Sequence, residues 1–272
     1  MNAGKEEAGE GSEKQYTLEK GHVFFFYRPN VECTEVTGLD DVDRLHMILK
    51  PEWRRDGGRL ISRSIVVGGK TLPDVRSHQR YWSYVENVNE DIGQISQLLK
   101  GYVFGTAAYG ELIQSEERAA AQGRYALLKY HNNTHLAFVI ERPEQLGVVQ
   151  QAFRIPKEGS FILCVKNPES AAMARQPSDR KAHYGTDLLQ HFHGKSWTGA
   201  EPVDLLKNAQ LWLVGETPDL KEGLKQLGER LEEEALEELR KMKPLDDRQI
   251  FQELKIAQHE VPSLAVITGE WI

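Results

Sequence analysis

Two apolar runs constrain this chain more than anything else in it: Arg124-Tyr125-Ala126-Leu127-Leu128-Lys129-Tyr130-His131 and Thr134-His135-Leu136-Ala137-Phe138-Val139-Ile140, with only Asn132-Asn133 between them. Asparagine tolerates positive φ, so this pattern predicts a hairpin with a two-residue loop. The implied register sets His131 opposite Thr134, Lys129 opposite Leu136, Leu127 opposite Phe138 and Tyr125 opposite Ile140. Side chains alternate along a strand, so Leu128, Tyr130, Ala137 and Val139 share the other face. Both faces are largely apolar, which predicts a hairpin inside a sheet and covered on both sides near its base.

Further strands follow from short apolar runs closed by breakers. Gly21-His22-Val23-Phe24-Phe25-Phe26-Tyr27 is aromatic and β-branched throughout and ends at Arg28-Pro29, as a core strand stopped by proline would. Residues 44–49 are stopped at Pro51, residues 59–67 close on Gly68-Gly69, and residues 80–85 and 160–165 have the same character. Residues 1–20 are rich in Gly, Glu and Lys and predict a disordered lead-in. Asn89 is placed to cap a helix over residues 90–100 ended by Gly101, and Pro143 to open a short helix over 144–153. Thr217 and Pro218 start the longest helix, whose stripe of Leu220, Leu224, Leu227, Leu231, Ala235, Leu239 and Met242 ends at Pro244. A second helix near residues 248–258 and a strand over 263–272 complete the chain.

These elements add up to an α+β fold: mixed or antiparallel sheets with packed helices and a helical C-terminal region. A chain of 272 residues can bury a sizeable core. The expected organisation is a lead-in over 1–20, a β-rich subdomain over 21–110 and an α+β subdomain over 111–272, the last two meeting near residues 100–123 or merging into one domain.

Two distant cysteines, Cys33 and Cys164, exclude a disulfide framework and a four-thiolate zinc site. No segment reads as a signal peptide or a membrane span, so the expected location is cytoplasmic, with no membrane partner. The formal charge of −7 is unevenly spread. Between residues 50 and 82 lie Lys50, Arg54, Arg55, Arg59, Arg63, Lys70, Arg76 and Arg80 against only Glu52, Asp56 and Asp74. An acidic stretch, Glu232-Glu233-Glu234 with Glu237-Glu238, lies far downstream. Such asymmetry marks an anion-binding face or two surfaces that neutralise each other within the molecule, and the second is favoured.

Within the basic segment, Trp53-Arg54-Arg55 and Arg80-Tyr81-Trp82 interleave cations with aromatics. Single-stranded nucleic acid binds such platforms, but a sheet edge also uses them to cover itself through cation–π contacts, which is favoured here. Arg54, Arg55, Arg80 and Trp82 are the candidate ligand-binding residues, for an unknown protein partner or anionic ligand ahead of nucleic acid. A second cluster is His183, Asp187, His191, His193 and Lys195. Intervals of four put His183, Asp187 and His191 on one face of a short helix over 185–192. Asp187, His191 and His193 are the candidate metal ligands, and with Lys195 the candidate acid–base groups. No established zinc or iron spacing is matched, so an exposed helix end with ordinary histidines is favoured and no cofactor is assigned. Gly68-Gly69-Lys70-Thr71 lacks the earlier glycine and the following helix of a phosphate loop.

The stretch Gly21 to Pro29 with Val31 resembles the opening of a family found in bacteria, plants and fungi. Further matches are Arg44-Leu45, Val67-Gly68 with Leu72-Pro73, Tyr125-Ala126-Leu127 and Thr134-His135-Leu136-Ala137. Gly159-Ser160-Phe161, Val165-Lys166-Asn167-Pro168-Glu169 and Leu213-Val214-Gly215 continue the likeness, which spans residues 21–216. No activity is established for that family, so the resemblance carries over no catalytic residue. Some fungal members bear an automatic label as BTB-domain transcription factors, a helical fold unlike this strand-rich first half. The expected function is a non-enzymatic binding or interaction protein using the basic-aromatic surface; the alternative is a small-molecule enzyme, with or without a metal, using residues 183–195.

Overall fold

The computed structural model describes residues 16–74, 79–130, 133–171, 181–215, 237, 239, 249–256 and 260–271. Their strands are β1 (Tyr16–Pro29), β2 (Val42–Arg54), β3 (Ser62–Val67), β4 (Arg80–Asn89), β5 (Tyr102–Thr106), β6 (Gly110–Gln114), β7 (Arg118–Tyr130), β8 (Asn133–Arg142), β9 (Glu158–Lys166), β10 (Trp197–Gly199) and β11 (Gln210–Gly215). The helices are short: α1 (Ile92–Ser96), α2 (Val148–Ala152), α3 (Thr186–Gln190), α4 (Gln249–Leu254) and α5 (Leu264–Thr268).

All strands except β5 and β6 join one antiparallel sheet in the order β10-β9-β11-β4-β3-β2-β1-β7-β8, and β8 pairs in turn with β9. Eight strands therefore close on themselves as a barrel. β8 and β10 share one edge of β9, β8 taking residues 158–162 and β10 residues 164–166. Strands from residues 21–110 and from residues beyond 111 are neighbours in this one sheet, as β1 and β7 show. β5 and β6 form a separate hairpin that leaves Tyr102, Val103, Tyr109 and Ile113 exposed.

This closed barrel overturns the expected α+β fold with packed helices and a helical C-terminal region. Along β1, β3 and β7 both faces of the wall are covered, so there the alternating pattern that marks a half-exposed strand is erased, and nothing local signals closure. Inside lie Phe25, Phe138 and Phe161, their rings 5.6 and 5.9 Å apart, among Val23, Met47, Ile65, Leu127, Leu163 and Leu213. An eight-stranded barrel is just wide enough for side chains to fill it. On the outside, Phe24, Phe26 and Ile48 are buried under Ile92, Ile95, Leu254, Ile256 and Val266. Around the wall, Ala126, Leu128, Ala137 and Val139 pack with Leu239.

Several local expectations shift. β1 begins at Tyr16 rather than Gly21, so the end of the expected lead-in is wall. β2 does not stop at Pro51 but runs to Arg54. Gly21 pairs with Pro51 and Lys20 with Trp53, so Glu52 is the extra residue of a bulge that absorbs the missing proline N–H. Gly21 is required there: a Cβ on it would lie 2.1 Å from the Lys50 carbonyl oxygen. The central hairpin forms with Tyr130 opposite Asn133 and Leu127 opposite Leu136, two residues out of the expected register. Because strands have period two, the expected faces survive that slip.

The helix expected over 90–100 is α1, capped by Asp91, followed by a 3-10 turn at Gln97–Leu99. In place of the strand expected over 263–272, the chain forms α5 over Leu264–Thr268. The helix expected from Thr217 to Pro244 lies outside the described residues except at 237 and 239.

Candidate functional site

One end of the barrel carries charge into its interior. In the sheet register Glu19 of β1 lies opposite Arg54 of β2, Tyr125 of β7 lies opposite Gly21, and Arg63 belongs to β3. Arg63 grips Glu19 with both nitrogens of its fork, Nη1 to Oε1 at 2.7 Å and Nη2 to Oε2 at 3.1 Å. The Tyr125 hydroxyl donates to the same Oε1 at 2.7 Å. Glu19 and Arg63 are at most 1 % exposed. Burial, and then the Glu19 charge, hold the Tyr125 hydroxyl well above its ordinary pKa, with Arg63 and Arg54 acting the other way. Tyr125 is therefore held as a hydrogen-bond donor to the Glu19 carboxylate.

Arg54 is 8 % exposed, donating to the Arg59 carbonyl at 2.9 Å and to Asp56 at 2.6 Å. Among the described residues, the buried Nε of Arg54 and that of Arg63 have no acceptor. A buried donor left without a partner costs roughly 1–3 kcal/mol. A buried ion pair is seldom more stable than apolar side chains of the same volume.

The 3-10 turn Pro202–Asp204 lies over the same end, its Pro202 carbonyl accepting from Arg63 at 3.0 Å. Asp204 closes the turn by accepting from the Glu201 amide at 2.9 Å, and Tyr184 donates to the Asp204 carbonyl at 2.6 Å. Burial raises the Asp204 pKa, opposed by that amide and by His191, whose Nδ1 is 3.5 Å away. His191 thus joins this end of the barrel, through a residue the sequence did not single out.

The other members of the histidine cluster do not gather around it. α3 spans only Thr186–Gln190, and His193 has left helical geometry with φ of 46°. His183, Asp187, His193 and Lys195 are exposed. Among the described residues, no three of the cluster bring metal-ligand atoms together.

The basic-aromatic residues are likewise divided. β2 and β4 both run antiparallel to β3 and so share a direction. Arg54 ends β2 and Arg80 begins β4, which puts them at opposite ends of the barrel. Arg55 lies over the Tyr16 ring at 4.7 Å, beside Arg54 in sequence. Arg80 lies over Trp212 at 5.3 Å, and Trp82 pairs with that same Trp212 across the strands. Of the four candidates, Arg54 alone points a buried donor without an acceptor into the charged end.

A second charged group sits on the outer wall. Glu117 lies 2.8 Å from Arg28 and 2.6 Å from His46 Nδ1, while Glu86 lies 3.2 Å from His46 Nε2 and 3.5 Å from Arg44. These residues answer one another's charge and tie the wall to the loop before β7.

Sequence reasoning passed over Glu19, Arg63 and Tyr125. Glu19 fell in the supposed lead-in. Arg63 had a usable signal: it shares strand parity with Ile65 and Val67, both inside the barrel. No family model, curated protein or solved structure matches the chain, so its fold and site stand on their own geometry.

Proposed function

We propose that this chain is a non-enzymatic binding protein whose barrel takes a small anionic molecule at the end bounded by Arg54 and Arg63. The observation that carries the proposal is the pair of buried guanidinium Nε–H donors at that one end that have no acceptor among the described residues. A carboxylate or phosphate oxygen would answer such donors with charge-assisted hydrogen bonds, stronger than neutral ones. The Pro202–Asp204 turn, held by hydrogen bonds from Arg63 and Tyr184, is the segment that would yield to admit the ligand. Free thiols at Cys33 and Cys164 support placing this activity in the cytoplasm. Membership in the family with the Gly-His-x-Phe-Phe-Phe-Tyr-Arg-Pro-x-Val opening belongs to the same proposal, and would make β1 a shared feature.

Calorimetric titration with inorganic phosphate, pyrophosphate and a fatty carboxylate tests it. At least one anion should bind, more weakly as salt rises. Arg54→Ala should weaken that binding about tenfold or more, in line with the roughly 1.5–3 kcal/mol of a hydrogen bond to a charged group. Arg80→Ala, at the other end, should leave it unchanged. No binding by any of the three, or equal loss in both variants, would overturn the proposal. The enzymatic alternative rests on His191 beside buried Asp204, an imidazole oriented by a carboxylate as a general base requires. It calls for turnover that His191→Ala abolishes.

A further inference from the structure

The outer wall of the barrel holds a different convergence, away from the interior charge. Val23 and Phe25 point into the core, so His22 points out. Its imidazole is nevertheless 3 % exposed, beside Phe24. The bulge opposite Gly21 leaves Glu52 without a strand partner and brings its carboxylate to 2.8 Å from His22 Nε2. From a third element, α4, comes Glu253, positioned because Leu254 is buried with Phe24 and Ile48 and because the Leu254 carbonyl accepts from Ser96. One ligand atom from each of His22, Glu52 and Glu253 lies within 4.8 Å of the other two.

The geometry points to a divalent transition-metal site made by His22, Glu52 and Glu253. One imidazole and two carboxylates are a donor set for Zn²⁺, with water in the fourth position. Bonds of about 2.0–2.2 Å place tetrahedral donors about 3.4 Å apart; here His22 and Glu52 are 2.8 Å apart and all three ligand atoms lie within 4.8 Å of one another. The charge also fits. Among the described residues, the two carboxylates are faced by the Lys50 ammonium, which pairs with Glu253. Lys50 holds the place of the metal, and a divalent ion would displace it. Since His22 and Glu52 belong to the wall and Glu253 to α4, the bound ion would pin the C-terminal segment to the barrel.

The test uses the full chain stripped with a chelator, titrated with Zn²⁺ in a calorimeter and with Co²⁺ by visible absorption. One ion should bind per chain, and Co²⁺ should give the intense bands of a tetrahedral site. Glu52→Gln and Glu253→Gln, both at accessible positions, should each weaken Zn²⁺ binding by at least about tenfold. Lys50→Met should tighten it by removing the competing ammonium. The double variant His191→Ala with His193→Ala should bind as the parent does. The inference is overturned if neither ion binds, if Glu253→Gln binds as tightly as the parent, if Lys50→Met binds more weakly, or if the histidine double variant loses the site.

Discussion

His46 lies between Glu117 and Glu86 with 2 % of its surface exposed. Burial alone would strip its proton, but the charges and hydrogen bonds of Glu117 and then Glu86 prevail and lift its pKa to about 9. Arg28 and Arg44 complete the surroundings, each paired with one of those carboxylates. In the unfolded chain a histidine titrates near 6.5. The folded state therefore holds the proton more tightly, and its stabilisation is whole below about pH 6.5 and fades as pH rises through about 9. Urea midpoints measured between about pH 6 and 9.5 should fall as pH rises, and His46→Gln should flatten that slope. An identical slope in the variant would remove His46 as the source. A single inward charge such as Arg63 is legible by counting parity along its strand. The His46 network is not, because residues 28, 46, 86 and 117 meet only once the wall has formed.

At the scale of elements, runs of apolar residues located most strands, while their limits depended on partners. β2 passes through Pro51 because β1 offers a glycine opposite, a pairing that no inspection of β2 alone reveals. The seam is exacting. Gly21→Ala would push a methyl group to 2.1 Å from the Lys50 carbonyl and should cost about 3 kcal/mol, as overpacked sites do. Chemical denaturation of the variant checks this; a loss under about 0.5 kcal/mol, the range of neutral surface changes, would show that the bulge relaxes freely. The hairpin of β7 and β8 teaches the complementary lesson. Its faces were legible from alternation, but its register was not, since a slip of two residues preserves every face.

For the molecule as a whole, strands buried on both faces, as β1, β3 and β7 are, explain why the sequence looked like a sheet with helices. Phe24, Phe25 and Phe26 alternate between the inner and outer cores, and each is at most 1 % exposed. A sheet with one wet face would tolerate truncation at every second position. Here Phe24→Ala and Phe25→Ala should each cost about 3–5 kcal/mol in urea unfolding, the usual range for a buried phenylalanine. A mild effect at Phe24 would mean that the helices over the outer face contribute little. The candidate anion site was half legible: Arg54 was singled out and Arg63 follows on the next strand, but Glu19 and Tyr125 come from strands distant in sequence.

The pairing of β1 with β7 also has a bearing on how the chain is made. The stretch between Pro29 and Arg118 must emerge from the ribosome before β1 can meet its second neighbour. At about 5–20 residues per second that takes on the order of 5–20 s. Throughout that interval one edge of β1, with its three consecutive phenylalanines, is open to any other strand. Until then the open edge is a template for pairing with another chain, and the closed barrel has no such edge on β1 once β7 arrives.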